Sequence, residues 1–230
     1  MRDIRPTPPQ NLNPYARELL EAFAGHPEAA QIVLGGGVAL SHYLEYRDTV
    51  DVDAWWRNEA DRKARDLAQR VMENIAIKHG LRFRLRAWGE TESYELSRND
   101  HKVFSFQISV KTRFLDAPRP GAWEPVMIET LRDNVASKMA ALVERGAPRD
   151  LRDIYELCTR QILSIEECWR LWKVKNPELD TLEGYAKVLF HVERLELQRP
   201  LEKITTPDER ASAAALRQWF KTSFCAGGVP

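Results

Sequence analysis

The stretch Ile32-Val33-Leu34-Gly35-Gly36-Gly37-Val38-Ala39-Leu40, followed shortly by Thr49-Val50-Asp51-Val52-Asp53-Ala54-Trp55-Trp56, decides how this chain is read. The apolar run Ile32 to Leu34 stops at glycines, the pattern of a buried strand, and Val38, Ala39, Leu40, Tyr43 and Leu44 give the helix after it. Val50 to Trp56 alternates and reads as a second strand, with Val50 and Val52 turned toward a helix layer. Side chains at i and i+2 of a strand leave the same face, so Asp51 and Asp53 are expected side by side. Two anions that close repel one another unless a cation lies between them, and a divalent metal meets that need. A glycine turn exposing N–H groups ahead of a helix offers a place for phosphate beside such a metal. Metal-dependent chemistry on a nucleotide is the implication. The plainer reading makes the pair the solvated face of an edge strand, but aspartate is disfavoured in strands and two of them require a reason.

Upstream, Asn13-Pro14 reads as an N-cap with proline at N1, and Tyr15, Leu19, Leu20 and Phe23 recur at helical spacing up to Gly25. Downstream, Glu59 to His79 predicts a long helix with an apolar stripe through Ala64, Leu67, Val71, Ile75 and Ala76, closed by Gly80 at C′. Three strand-like runs follow, Leu81 to Ala87, Ser93 to Leu96 and Val103 to Phe114, separated by the turn pairs Gly89-Glu90 and Asn99-Asp100. They predict an antiparallel meander. Pro118, Pro120 and Gly121 open a loop, and Pro125 to Ile128 adds an edge strand. From Thr130 the spacing is helical, through Val135, Met139, Leu142 and Val143, then Leu151, Ile154, Tyr155 and Leu157, with an interruption at Gly146 and Pro148. Further helices are expected from Ser164, Leu182 and Asp208, and a loose tail over Ala226 to Pro230. The expected fold is α+β, with a mixed front domain over 13–128 and a helical domain over 129–224.

Composition sets limits. At 230 residues and 43% hydrophobic the chain can bury a substantial core. Lys plus Arg and Asp plus Glu both total 34, so any basic surface for nucleic acid must be local. Three cysteines without CxxC spacing imply neither a disulfide framework nor a zinc ribbon, and a cytoplasmic location is the simplest expectation. No apolar stretch reaches the ~18 residues a membrane span needs, and Met1 to Leu12 does not read as a signal peptide. The usual nucleotide loops are excluded: a GxGxxG from Gly35 would need glycine at Leu40, and no Gly-Lys-Ser/Thr occurs. The five histidines form no HxH or HxxxH pair and no serine stands in a GxSxG elbow, which argues against a zinc hydrolase and a serine triad.

The glycine turn, together with Arg47-Asp48-Thr49-Val50-Asp51-Val52-Asp53, resembles the first motif of the AbiEii/AbiGii type nucleotidyltransferase toxins: a glycine pair, a small hydroxyl residue, Ala-Leu, then Arg-x-Ser-x-Asp-x-Asp. A second block, Asp133-Asn134-Val135-Ala136-Ser137-Lys138-Met139-Ala140-Ala141-Leu142, then Arg145 and Arg149-Asp150-Leu151-Arg152-Asp153, resembles the later motifs, a helical lysine followed by Arg-Asp-x-x-Asp. The resemblance covers Ile32 to about Leu157. It implies a polymerase beta type nucleotidyltransferase core, a mixed sheet with helices packed on it, followed by a helical domain that closes over the nucleotide. It further implies transfer of a nucleotide from an NTP to an RNA acceptor such as tRNA, a toxin role in a toxin–antitoxin or phage-defence system, and a cognate antitoxin. Carried over by position, Asp51 and Asp53 bind Mg²⁺ or Mn²⁺. Gly36 and Gly37 hold phosphate, with Arg47 and Thr49 in the same motif, Lys138 neutralises the phosphate, and Arg149 and Asp153 complete the catalytic set.

The chain departs from the motif at two places. Val38 stands where the family has a small hydroxyl residue. On the strand expected to give a third carboxylate, Gln107 or Ser109 is found, and neither is an anionic base. Two alternatives therefore stand beside RNA modification: transfer onto a small molecule such as an aminoglycoside, and a non-catalytic nucleotide- or RNA-binding module. Other residues carry two readings each. Lys138 is a phosphate ligand or a snorkelling side chain, and Arg149 with Asp153 is part of the site or an i, i+4 surface pair. Arg82, Arg84 and Arg86, and likewise Lys111 and Arg113, alternate on strand faces as an RNA groove or as solvated charge. Trp55 and Trp56 are read as sheet packing, and Cys158 and Cys168 as ordinary buried thiols.

Overall fold

A computed structural model describes residues 4–58, 62–111 and 113–226. Glu59, the expected start of the long helix, Thr112 and the 227–230 end of the tail lie outside the described residues. The chain divides into two compact units, Ile4–Asn134 and a second beginning at Val135.

The first unit opens with helix α1 (Pro14–Phe23), capped as the sequence predicts by the Asn13 side chain accepting from Tyr15 N–H. Strand β1 (Ile32–Leu34) runs into a short helix α2 (Gly36–Ser41), and strand β2 is Val52–Trp56. Helix α3 (Arg62–His79) ends at Gly80, whose φ of +60° fits the left-handed C′ position. Strands β3 (Arg82–Trp88), β4 (Thr91–Arg98) and β5 (His101–Val110) form the predicted antiparallel meander. Its turns are the predicted pairs: Gly89 has φ +54°, and Asn99 and Asp100 both take positive φ. Two short strands, β6 (Arg119–Pro120) and β7 (Met127–Ile128), complete a seven-stranded sheet of order β3-β4-β5-β2-β1-β7-β6. The sheet is mixed, since β2 lies parallel to β5 and β7 parallel to β1.

Three strand expectations need correction. The second strand starts at Val52, so Asp51 lies in a bend ahead of it and Val50 is exposed instead of packed under a helix. The fifth strand stops at Val110, which takes Lys111 and Arg113 out of the expected alternation. The segment around Met127 is interior, because β6 covers its outer side and becomes the edge.

The alternation of the strands sorts the sheet into two faces. Val52, Ala54 and Trp56 share one face with Phe104, Phe106 and Ile108 and with Tyr94 and Leu96, all buried. Helices α1 and α3 cover it, with Phe23 edge-on to Phe106 at 5.7 Å and Tyr15 tilted on Phe104 at 6.1 Å. Burial of eight such side chains at about 1.5–3 kcal/mol each is what holds the layers together. The opposite face carries Asp53 and Trp55 of β2, Ser105, Gln107 and Ser109 of β5, Ser93 and Glu95 of β4, and Arg84 and Arg86 of β3. A hydrogen bond of 2.7 Å between the Thr91 and Ser109 hydroxyls marks the same face.

The second unit continues helix α4 (Leu131–Glu144), whose first turn belongs to the first unit, into α5 (Pro148–Thr159), α6 (Ile165–Lys175), α7 (Thr181–Gln198) and α8 (Pro207–Trp219), extended by a π-helical turn over Phe220–Phe224. A capping box between Ser164 and Glu167 starts α6, which is why the sequence points to Ser164. The core of this unit is aromatic, with Trp169 against Trp172, Tyr185 and Phe224. Among the described residues no helix is long and apolar enough to cross a membrane.

Candidate active site

The glycines of the turn face the side chains of the segment that follows. A Cβ at Gly35 would lie 2.4 Å from Trp55 Nε1, at Gly36 2.3 Å from Asp53 Oδ2, and at Gly37 2.9 Å from Thr49 Cγ2 and 3.4 Å from Arg47 Nη2. Each contact is shorter than, or at the edge of, what a real Cβ tolerates, so the run of glycines is required by packing as well as by the turn. Gly36 also has φ +54°, a conformation that glycine alone adopts freely. The antiparallel pairing of β1 with β2 sets this register, and Gly35 N–H donates to Asp53 C=O at 2.8 Å. Gly36, Gly37, Arg47, Thr49 and Asp53 are thereby brought together.

The aspartates are less symmetric than a simple strand face implies. Asp53 leans toward the turn, with its carboxylate against Gly36. Asp51 leans the other way, toward β5, where its Oδ1 accepts from Ser105 N–H and from the Ser105 hydroxyl, each at 2.9 Å. Lys102 Nζ donates to Asp51 Oδ2 at 3.2 Å. The cation expected beside the pair is thus supplied to Asp51 by a lysine side chain. That lysine is half exposed, and such pairs contribute about 0–1 kcal/mol, so it yields readily to a stronger cation. Opposite Asp53 on β5 stands Gln107, and the neighbour of Asp51 is Ser105, so the adjacent strand provides no third carboxylate.

Behind the turn lies a buried polar cluster that sequence reasoning missed. Asn134 Nδ2 donates to Gly36 C=O at 3.0 Å and to Glu129 Oε2 at 3.1 Å. Glu129, fully buried, is paired with Lys111, whose Nζ also lies 3.4 Å from Asp133 Oδ1 and 5.3 Å from the centre of the Trp55 ring. Tyr43 donates its hydroxyl to Glu129 C=O at 2.8 Å, and burial pushes that phenol up to about 12, so it stays a donor at neutral pH. Asp133 gathers the Leu115 and Asp116 N–H groups. Fixing Gly36 C=O through Asn134 and Glu129 holds the turn against Asp53. Asn134 stands in the second motif block, four residues before Lys138, but nothing in its spacing points to Gly36.

In the helical unit Lys138 and Asp153 form one buried ion pair, Nζ to Oδ2 at 2.6 Å. Lys138 is therefore neither snorkelling nor free on an apolar face. Arg149 is exposed on the first turn of α5, while Asp150 is held by Arg145 through two bonds of 2.9 and 3.3 Å. The carboxylates Asp150, Asp153 and Glu156 thus repeat every three residues along α5, and each has a cation.

A family model described as nucleotidyl transferase AbiEii toxin, type IV TA system, matches residues 18–220. The chain belongs to the AbiEii nucleotidyltransferase toxin family. The match reaches well beyond the motif-bearing stretch from Ile32 to about Leu157, so α1 and the helices α6 to α8 are parts of the AbiEii domain although they carry no motif legible by eye. A comparison with curated proteins gave no match. The seven-stranded mixed sheet with its helices is the nucleotidyltransferase core of this α+β fold, and the helical region follows it.

Among the described residues no group of three or more His, Cys, Asp or Glu is placed to hold a metal ion. The donor chemistry of Asp51 and Asp53 nonetheless suits Mg²⁺, which takes one or two carboxylates and fills its octahedron with substrate phosphates and water. Substitution of Gly36 tests the turn directly. In Gly36→Ala the added methyl meets Asp53 Oδ2, and the left-handed conformation costs about 1–2 kcal/mol. Nucleotide transfer is expected to fall about 10²-fold, because a displacement of the order of 1 Å at a reacting centre has that effect. A thermal melt should show only a modest loss; unchanged transfer would mean that the carboxylate does not depend on the turn.

Proposed function

We propose that this AbiEii protein transfers a nucleotide from an NTP to an RNA acceptor, tRNA being the first candidate, with Asp51 and Asp53 holding Mg²⁺ or Mn²⁺. The observation that carries the reading is the contact of Asp53 with Gly36 at the mouth of the glycine turn. When bound, the metal stabilises charge on the entering and leaving oxygens of the α-phosphate. The chain's own residues do the rest. Gly36 and Gly37 give the phosphates close approach to the backbone, with Arg47 and Thr49 beside them. The family motif assigns phosphate neutralisation to Lys138 and Arg149, and Asp153 orients Lys138 within the helical unit. Gln107 is not a base, so proton acceptance from the attacking hydroxyl falls to Asp51 or Asp53. Incubation with each labelled NTP, Mg²⁺ and total tRNA tests the proposal, and label that stays with the nucleotide in every case overturns it. Growth arrest on expression, relieved by a cognate antitoxin, follows from the toxin–antitoxin description of the family.

An RNA acceptor is favoured by the polar face of the sheet. Arg82, Arg84 and Arg86 line up on the exposed edge strand β3, on the same face as Asp53, with Arg86 5.9 Å from the centre of the half-exposed Trp88 ring. Guanidinium groups for phosphate beside an aromatic plane for a base are what a single strand requires. The double substitution Arg84→Glu/Arg86→Glu is expected to weaken transfer onto tRNA by about 10-fold or more at moderate salt and to flatten its salt dependence. Transfer onto an aminoglycoside, if it occurs, should be untouched. The neutral Gln107 favours a second reading, a binding module without turnover, which predicts NTP binding with no transfer onto any acceptor.

A further inference from the structure

Two thiols of the helical unit stand within contact distance. Cys158, near the end of α5, and Cys168, in α6, have their Sγ atoms 3.5 Å apart and share a hydrogen bond, and both are free. Cys168 is wholly buried and Cys158 is partly open to solvent. Cys225, the remaining cysteine, is buried and is held as an inert thiol by its surroundings, which push it up to about 12.

We propose that Cys158 and Cys168 form a reversible disulfide, with Cys158 as the thiol that meets the oxidant and Cys168 as the one that resolves it. The approach needed is short, since a disulfide brings sulfurs from this separation to about 2.05 Å. The oxidant is a low-molecular-weight disulfide such as oxidised glutathione. The Cys158 thiolate attacks one glutathione sulfur, the S–S bond breaks, and the departing glutathione thiolate takes the electron pair and a proton. Cys168 then attacks Cys158 Sγ, the bond to glutathione breaks, and the departing glutathione thiolate takes the electron pair and the Cys168 proton. Two protein thiols are oxidised and one glutathione disulfide is reduced to two thiols, so the exchange balances. The Cys158 contact and burial hold the Cys168 thiol above its ordinary range, so Cys158 is the thiol that meets the oxidant first.

The consequence is local to α5. This helix carries Arg149, Asp150 and Asp153, and the bridge ties its last turn to α6 five residues beyond Asp153. Oxidation therefore fixes the helix on which the Lys138 partner sits. The site is independent of the acceptor and of the nucleotide.

The full-length protein is incubated with oxidised glutathione, remaining thiols are alkylated, and the digest is mapped without reductant by mass spectrometry. The expected product is a Cys158–Cys168 cross-link lighter by two hydrogens and reversed by dithiothreitol, its formation rising with pH because the thiolate is the attacking form. In Cys168→Ala, Cys158 should accumulate as the mixed glutathione disulfide, with an unchanged circular dichroism spectrum confirming the fold. Persistent glutathionylation of Cys158 in the unsubstituted protein, a cross-link to Cys225, or complete alkylation of both thiols after oxidation would overturn the proposal.

Discussion

Asp53→Asn is expected to lower nucleotide transfer by about 10³-fold or more while leaving the fold intact. On the proposed function the charge of this carboxylate serves the metal and the proton of the attacking hydroxyl, and several kcal/mol of transition-state stabilisation correspond to that factor. The shape is conserved by the substitution: an amide fills the same space against Gly36, where the carboxylate oxygen already packs. Stability should therefore change little. Asp51→Asn should lower transfer less than Asp53→Asn, because Asp51 leans away from the turn and its Oδ1 bonds to Ser105 can be kept by an amide oxygen. Both variants are measured with labelled NTP over a range of Mg²⁺ and Mn²⁺. Equal, small effects at both positions would mean that neither aspartate bears the cation.

The second large effect is on stability. Asp153→Ala removes the partner of Lys138 and leaves an ammonium group buried in the helical unit, a change that costs about 3–5 kcal/mol. Lys138→Met alone leaves the Asp153 carboxylate buried and should cost a comparable amount. The double variant Lys138→Met/Asp153→Leu removes both charges and is expected to recover most of the stability of the parent, since a buried pair exchanged for apolar groups is often neutral. Urea unfolding of the parent, Lys138→Met, Asp153→Leu and the double variant closes a double-mutant cycle. The same double variant should remain inactive in transfer, which separates the structural contribution of the pair from its assigned part in neutralising phosphate. A loss below about 1 kcal/mol in Asp153→Ala would indicate a solvated pair.

Much of the fold is legible because local chemistry and global fold agree. The run Ile32 to Leu34 stops at glycine, Asn13-Pro14 caps α1, and Gly89-Glu90 and Asn99-Asp100 turn the meander, each by a mechanism that needs no distant partner. Expectations fail where a partner lies far along the chain. Lys111 looks like one member of a strand alternation, but Glu129 and Asp133, 18 and 22 residues away, draw it into the interior beside Trp55. Asp51 looks like the twin of Asp53, yet the parallel pairing of β2 with β5 brings up Ser105 and Lys102 and turns it aside. Met127 and Ile128 look like an edge until Arg119 and Pro120 cover them. The Lys138 and Asp153 pair joins two helices, and neither helix alone indicates it. Only the motif resemblance draws attention to both residues.

The way the turn glycines interlock with alternate side chains also restricts how this region can drift over evolutionary time. A bulkier residue at position 35 becomes tolerable only if the indole at 55 has already shrunk, and one at 37 only if Thr49 and Arg47 have given ground. At position 36 no such trade exists, since the matching side chain is Asp53, the carboxylate to which the proposed function gives the metal. Changes at the outer glycines are therefore expected in compensated pairs, whereas the middle one is locked for as long as the enzyme works.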